Sequence, residues 1–256
     1  MDGTEVTEMI ERSEHEGVLT LRLAHGKASA LDVELLDALL RELDGVAEDV
    51  RAIILTGTGS IFSAGVDLFR LSQGGAGYVR QFLPLLCRFV HTLFAFPRPV
   101  VAAANGHAIA GGCVLMLAAD VRLMAAGSGR IGLPELLVGV PFPAAALEIV
   151  RFAVPQDKVQ SLVYTGRTLP PQEALTAGIV DEVVPAEDLQ VRAQEVARQL
   201  ALIPPQVYRL TKQSLRSEAL ERIERAGEQD QAVLEVWSAA ETHAHVREYL
   251  RRTVCK

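Results

Sequence analysis

A chain of 256 residues is long enough to bury a large core as one domain, or as one domain with a small appendage. Its 25 basic and 32 acidic residues give a net charge of −7 with no Lys/Arg-rich run, which excludes a broad nucleic-acid-binding face but not a local pocket for an anion. Three scattered cysteines, Cys87, Cys113 and Cys255, suit neither a disulfide framework nor a zinc site, and fit a reducing, cytoplasmic setting without a metal.

The opening "MDGTEVTEMIERSEHEG" is acidic and polar, unlike a secretory or transit segment, and its first dozen residues are expected to fray. "GVLTLRLA" (17–24) alternates as a half-buried strand does. "ALDVELLDALLRELDGV" sets Leu31, Leu35, Leu36, Leu39, Leu40 and Leu43 on one helical face, with Gly45 at its end. "RAIILTGTGSIF" is a buried strand running into a glycine turn. "PVVAAANGHAIAGG" repeats that plan: Pro99 starts a strand, Asn105-Gly106 turns it, and a helix follows. Residues 99–119 carry no charge and could span a bilayer by length, but Asn105, Gly106, His107, Gly111 and Gly112 interrupt them, so no membrane span is expected. "DVRLMA" and "GIVDEVV" read as further strands between helices, which implies an α/β core. From about residue 186 the patterns are helical, with a joint at Pro204-Pro205. Their apolar faces suggest packing on another subunit. No internal repeat is visible.

"TGTGSIF" (56–62) contains Gly-x-Gly after a strand, but Phe62 stands where a dinucleotide fingerprint has its third glycine, and no P-loop occurs. "IFSAGVDL" and "AIAGGC" are two small-residue turns that follow strands. They either pack closely or bare two backbone N–H groups for one carbonyl oxygen. Glu135 is either a helix first-turn acid or a general base, with Ile131, Leu133, Leu136 and Leu137 available to raise its pKa. His25, His91, His243 and His245 have no acidic or nucleophilic partner at motif spacing, and His107 beside a turn reads as structural. Ser63 lacks a nucleophile elbow.

Taken in order, "ILTGTGSIFSAGVDL", "FPRPVVAAANGHAIAGGCVLMLAADVRL", "GLPELLVG" and "YTGRTLPPQEALTAGIVDEVVP" resemble the enoyl-CoA hydratase/isomerase (crotonase) superfamily from about residue 15 to 216. The resemblance implies an α/β fold, the crotonase (ClpP-like) spiral of ββα units over residues 1–195. A C-terminal helical trimerisation region over 196–256 would assemble homotrimers or hexamers. It also implies an oxyanion hole from the N–H groups of Ala64 and Gly111, with Gly112 starting a helix whose dipole adds positive potential. Lys27, Ala28, Ala30, Ser63, Gly65, Asp67, Leu68, Gly112, Val114, Pro134 and Phe142 would line the substrate path, Lys27 as a candidate for the CoA phosphates.

Hydratases of the superfamily hold a water between two glutamates. Here one of those positions is Val114 and the other is Glu135, a pattern similar to the Δ3,Δ2-enoyl-CoA isomerases. Pro141, Phe142 and Pro143 stand where hydratases are glycine-rich, which should dry the pocket. The reading is an isomerase of 3-enoyl-CoA with Glu135 as single base and no cofactor beyond the CoA of its acyl-CoA (or acyl-carrier-protein) substrate. Three other readings stay open: an atypical hydratase, another single-base lyase or decarboxylase, and a non-catalytic acyl-CoA carrier.

Overall fold

The computed structural model describes residues 5–7 and 9–253, so Cys255 lies outside the described residues. An antiparallel start, β1 (Glu5–Thr7), β2 (Ile10–His15) and β3 (Val18–Leu23), leads to α1 (Val33–Asp44). The expectation of a frayed first dozen is overturned for residues 5–7 and 10–12. β1 pairs with β2, β2 pairs along its length with β3, and Ile10 is fully buried. α1 forms as its pattern dictates. The Asp32 carboxylate accepts from Leu35 N–H at 2.8 Å, and Leu35, Leu36, Leu39, Leu40 and Leu43 face the core.

Three ββα units follow: β4 (Ala52–Gly57), β5 (Ile61–Ser63) and α2 (Leu68–Ala95); β6 (Val100–Ala104), β7 (His107–Ile109) and α3 (Gly111–Ala118); β8 (Val121–Ala125), β9 (Ile131–Gly132) and α4 (Glu135–Val138). The first strands of the units lie parallel in a seven-stranded sheet, and the second strands lie parallel in a four-stranded sheet. The chain therefore climbs one step per unit, which is the expected spiral. Each unit delivers its second strand, then its helix N-terminus, to the same side of the molecule.

The chain continues through α5 (Ala144–Ala153), α6 (Gln156–Thr165), β10 (Thr168–Leu169), α7 (Pro171–Thr176) and β11 (Glu182–Val184). The C-terminal helices are α8 (Leu189–Ala201), α9 (Pro205–Glu224), α10 (Gly227–Ser238) and α11 (Ala240–Thr253). The strand period of two divides the buried side chains of the large sheet between two cores. Ile53, Leu55, Val100 and Ala102 face the main core, while Ala52, Ile54, Val101 and Ala103 face α8. Residue 196, where the sequence reading divides the chain, falls inside α8, whose Leu189, Ala193, Val196 and Ala197 all pack on the sheet. No helix among the described residues is long and apolar enough to cross a membrane.

The C-terminal helices do not simply present apolar faces outward. Val233, Trp237, Val246 and Leu250 of α10 and α11 belong to the main core of their own chain. α9 is anchored by charge. Asp120, just past α3, holds Lys212 Nζ at 2.7 Å and Arg216 at 2.8 Å, with both cations almost fully buried. Arg216 also donates to Ala118 O (3.0 Å) and Ala119 O (3.2 Å), placing a cation at the negative end of α3, and stacks 4.2 Å from the Phe94 ring centroid. Burial pushes the Lys212 ammonium down to about 8 despite Asp120. Removing one partner strands two buried cations, so Asp120→Ala should cost about 3–5 kcal/mol in urea unfolding. A loss below about 1 kcal/mol, the range of exposed pairs, would show that the cluster does not hold α9.

Candidate active site

Two backbone turns meet at the pocket. In the first, Leu31 N–H donates to Gly65 O (2.8 Å) and Asp67 N–H donates to Leu31 O (2.9 Å), a parallel bridge that flanks Val66. The Val66 N–H points away from that bridge and has no acceptor among the described residues. In the second turn, Ala110 donates to Gly132 O and takes φ 51°, ψ −122°, a conformation that costs an alanine on the order of 1–3 kcal/mol. It bends the chain so that Gly111 opens α3 with its N–H unpaired, as the first turn of any helix leaves it.

The turns touch because neither has a side chain in the way. A Cβ on Gly65 would lie 2.6 Å from Ile109 O and 2.9 Å from Gly111 N; one on Gly111 would lie 2.8 Å from Leu31 Cδ1 and 3.8 Å from Val66 N. Val66 N–H and Gly111 N–H are therefore neighbouring donors on one wall, at the positive end of α3. Gly112 has a different reason to be glycine: a Cβ there would fall 2.2 Å from Ser63 O. Its place is packing, and close packing and bared donors occur together in this turn.

This geometry corrects part of the expected site. The N–H of Ala64 donates to Ala28 O at 3.0 Å, so the available donor of the first turn belongs to Val66, two residues on. Ala64 itself lines the pocket. Ser63 is buried, donating to Ser29 O (2.8 Å) and accepting from Gly65 N–H (3.2 Å), so it braces the turn and does not face substrate. Asp67 caps α2 by accepting from Arg70 N–H at 2.9 Å. Ala28 and Ala30 flank the strained Ser29 (φ 42°) in the loop that supports Ala64 and Gly65. Lys27 is exposed on that loop. His25 does have an acidic partner: its Nε2 lies 2.7 Å from Asp32 Oδ2, which also accepts from Arg70 at 2.9 Å.

Opposite the two N–H groups stands Glu135. β9 runs parallel to β7, and its exit through Leu133 and Pro134 sets Glu135 at the start of the one-turn α4 across from α3. A cavity of about 220 Å³ is lined by Ala64, Leu68, Pro134, Glu135, Tyr249 and Thr253 among others. A smaller one, about 30 Å³, is lined by Gly111, Val114, Phe142 and Ala146 among others. Val66, Glu135 and Trp237 border both, which makes them two compartments of one site. Among the described residues Glu135 is the single carboxylate on either lining. It is buried, and its Oε2 has no hydrogen-bond partner among the described residues.

Burial pushes the Glu135 carboxyl up to about 8, with its own backbone N–H offsetting only part of the effect. The apolar setting comes partly from unexpected residues. Ile131 and Leu133 are buried as anticipated, but Leu136 and Leu137 are 41% and 50% exposed, and Val114, Phe142 and Trp237 take their place. Burial, and after it the Glu135 charge, raises the Tyr249 phenol across the larger compartment. Val66, Trp237, Tyr249 and Thr253 were not singled out from sequence. The lone tryptophan of the chain was the one available signal.

This arrangement can hold a carbonyl oxygen between two N–H donors and present a basic carboxylate to carbon atoms beside it, away from bulk water. The enoyl-CoA hydratase/isomerase family model matches residues 13–252. A putative enoyl-CoA hydratase of Thermus thermophilus is 35% identical over 194 residues, covering 74% of this chain and 76% of that protein. Enoyl-CoA delta isomerase 1 of Rattus norvegicus is 27% identical over 226 residues, covering 87% and 78%. Among solved structures, human mitochondrial Δ3,Δ2-enoyl-CoA isomerase superposes with a TM-score of 0.91 at 26% identity, covering 95% of this chain and 97% of that one. By the match of nearly its whole length, the fold that carries it and the site at its centre, the chain belongs to the enoyl-CoA hydratase/isomerase family.

Proposed function

We propose that the protein moves the double bond of a 3-enoyl-CoA to give the conjugated trans-2-enoyl-CoA. The observation that carries this reading is a single buried carboxylate, Glu135, sharing its apolar compartment with Val114 and facing two unpaired N–H groups. The thioester oxygen binds Val66 N–H and Gly111 N–H. Glu135 takes a proton from C2, the C2–H electrons pass to the oxygen as an enolate, and the donors and the α3 dipole stabilise that charge. The same carboxyl returns the proton at C4, the C3=C4 bond becomes C2=C3, and no atom is gained or lost. Adding water would need a second group to orient it, and the compartment offers valine there. Lys27 stands on the exposed loop next to Ala28, a position suited to a phosphate of CoA.

Glu135→Gln should lower kcat about 10²–10⁴-fold while acyl-CoA affinity stays within a few-fold; unchanged turnover would remove Glu135 from the mechanism. The base form gains population with pH, so log kcat/KM should rise with unit slope and level off near pH 8. The same shift has a stability cost. The folded carboxyl holds its proton more tightly than the unfolded one, so stability falls between the ordinary pKa of 4.5 and about 8, then stays low. Glu135→Gln should thus unfold at higher denaturant than wild type at pH 9, with the gap closing toward pH 4.5.

Val114→Glu tests the other half of the reading. It adds a second carboxylate to a dry compartment, so some loss of stability is expected, together with a gain in 3-hydroxyacyl-CoA formation over a negligible wild-type rate. Wild-type hydration as fast as double-bond migration would favour the hydratase reading that the Thermus relative's name carries.

Assembly into trimers or hexamers is part of the same proposal. Val207, Leu210 and Leu215 of α9, spaced at i, i+3 and i+8, are 56%, 51% and 69% exposed and form one apolar stripe. Light scattering should report a trimer or a multiple of it at micromolar concentration, and a monomer would contradict the assignment.

A further inference from the structure

The smaller compartment ends in a wall that is fixed from both sides by one helix. Trp237 Nε1–H of α10 donates to Pro141 O at 2.8 Å, and Asp230, two turns earlier on α10, accepts from Ala144 N–H at 2.8 Å. These two bonds clamp the segment 141–144 at its first and last residues and press Phe142 between them into the compartment. Phe142 is 6% exposed and Trp237 2%. Behind the wall a separate cavity of about 330 Å³, lined by Leu83, Cys87, Pro143, Asp230 and Leu234 among others, shares only Pro143 with the compartment.

The geometry points to Phe142, backed by Trp237, as the stop that limits the acyl chain of the substrate to about six carbons. The inference rests on the placement of the thioester proposed above. C1 sits at Val66 and Gly111, and C2 to C4 pass Glu135 where the two compartments join. Ala64, which Ala28 beside Lys27 braces, lines the larger compartment, so that compartment faces the CoA side and the small one is left for the tail. Its volume, about 30 Å³ against about 220 Å³ for the larger compartment, leaves room for roughly two carbons. Its lining beyond Glu135 is aliphatic or aromatic, so the tail it takes is a short apolar one and not a carboxylated or hydroxylated one. A longer chain would have to displace Phe142 against both α10 bonds.

Saturated acyl-CoAs test this by binding alone, since they cannot be isomerised. Calorimetric titration with butyryl-, hexanoyl-, octanoyl- and decanoyl-CoA should give affinity rising about fourfold per methylene as far as hexanoyl, then no further gain. Phe142→Ala should carry the rise to octanoyl or beyond. Ala146→Leu, which fills the compartment instead of emptying it, should end the rise at butyryl, and it serves if the first variant does not fold. An affinity that climbs fourfold per methylene to decanoyl in wild type, or a break that neither variant moves, overturns the stop. The two readings separate cleanly. If the break appears but 3-hexenoyl-CoA is not converted, the stop stands and the isomerase assignment falls; if 3-hexenoyl-CoA is converted and no break appears, the reverse holds.

Discussion

Everything in the site depends on how closely two backbone turns approach each other. Gly65 and Gly111 meet where a methyl group on Gly65 would be 2.9 Å from Gly111 N. That contact is possible only because each turn is braced from behind: the first by Leu31, Ala28 and Ser63, the second by Gly132 through Ala110. The braces consume the N–H groups of Gly65, Ala64, Asp67 and Ala110 and leave those of Val66 and Gly111. The free donors are thus residues that the bracing does not use, and they are preorganised because Gly65 and Asp67 on either side of Val66, and Ala110 before Gly111, are committed. Ala110 holds its unfavourable dihedrals as part of that arrangement.

Against this wall the fold sets a carboxylate that it does not solvate. Glu135 has no cation nearby on the pocket lining, and its elevated pKa is the expected consequence of burial without a partner. Stability is recovered elsewhere. Asp120 and Arg216 tie the far end of α3 to α9, so the helix whose N-terminus serves the site is held at its C-terminus by charge. α10 and α11 close the pocket with Trp237, Tyr249 and Thr253. The C-terminal helices therefore complete the site of their own chain as well as exposing the apolar stripe of α9.

Much of this was legible in the residues, for reasons that differ between elements. α1 and β3 announce themselves by periodicity, because each buries one face. The ββα repetition does not, because its second strands are only two or three residues long and the units share no side-chain pattern; the motif resemblance supplied the spiral. Glu135, Gly111 and Val114 could be placed because they sit within the recognisable stretches, and Phe142 because it stands three residues past one of them, where the chain departs from the hydratase pattern. The exchange of Ala64 for Val66 could not be anticipated. Which N–H in a small-residue turn stays free depends on its partner strand, here a single bridge to Leu31 some thirty-five residues away. Trp237 and Tyr249 were hidden for a related reason: the apolar faces of α10 and α11 read as surfaces for another subunit, and only their packing over α2 and α4 turns those residues inward. The same return of the helices explains why apolar residues expected to meet a neighbouring subunit lie in the core.

The central claim is that one buried carboxyl, shielded from water, carries a proton from C2 to C4 of the same substrate. It is tested most directly with 3-hexenoyl-CoA bearing deuterium at C2, turned over in ordinary water, with the product analysed by NMR and mass spectrometry. The account predicts 2-hexenoyl-CoA with no added water and with deuterium from C2 retained in substantial part at C4. A product heavier by one water, or a conjugated product with no deuterium at C4, would contradict it.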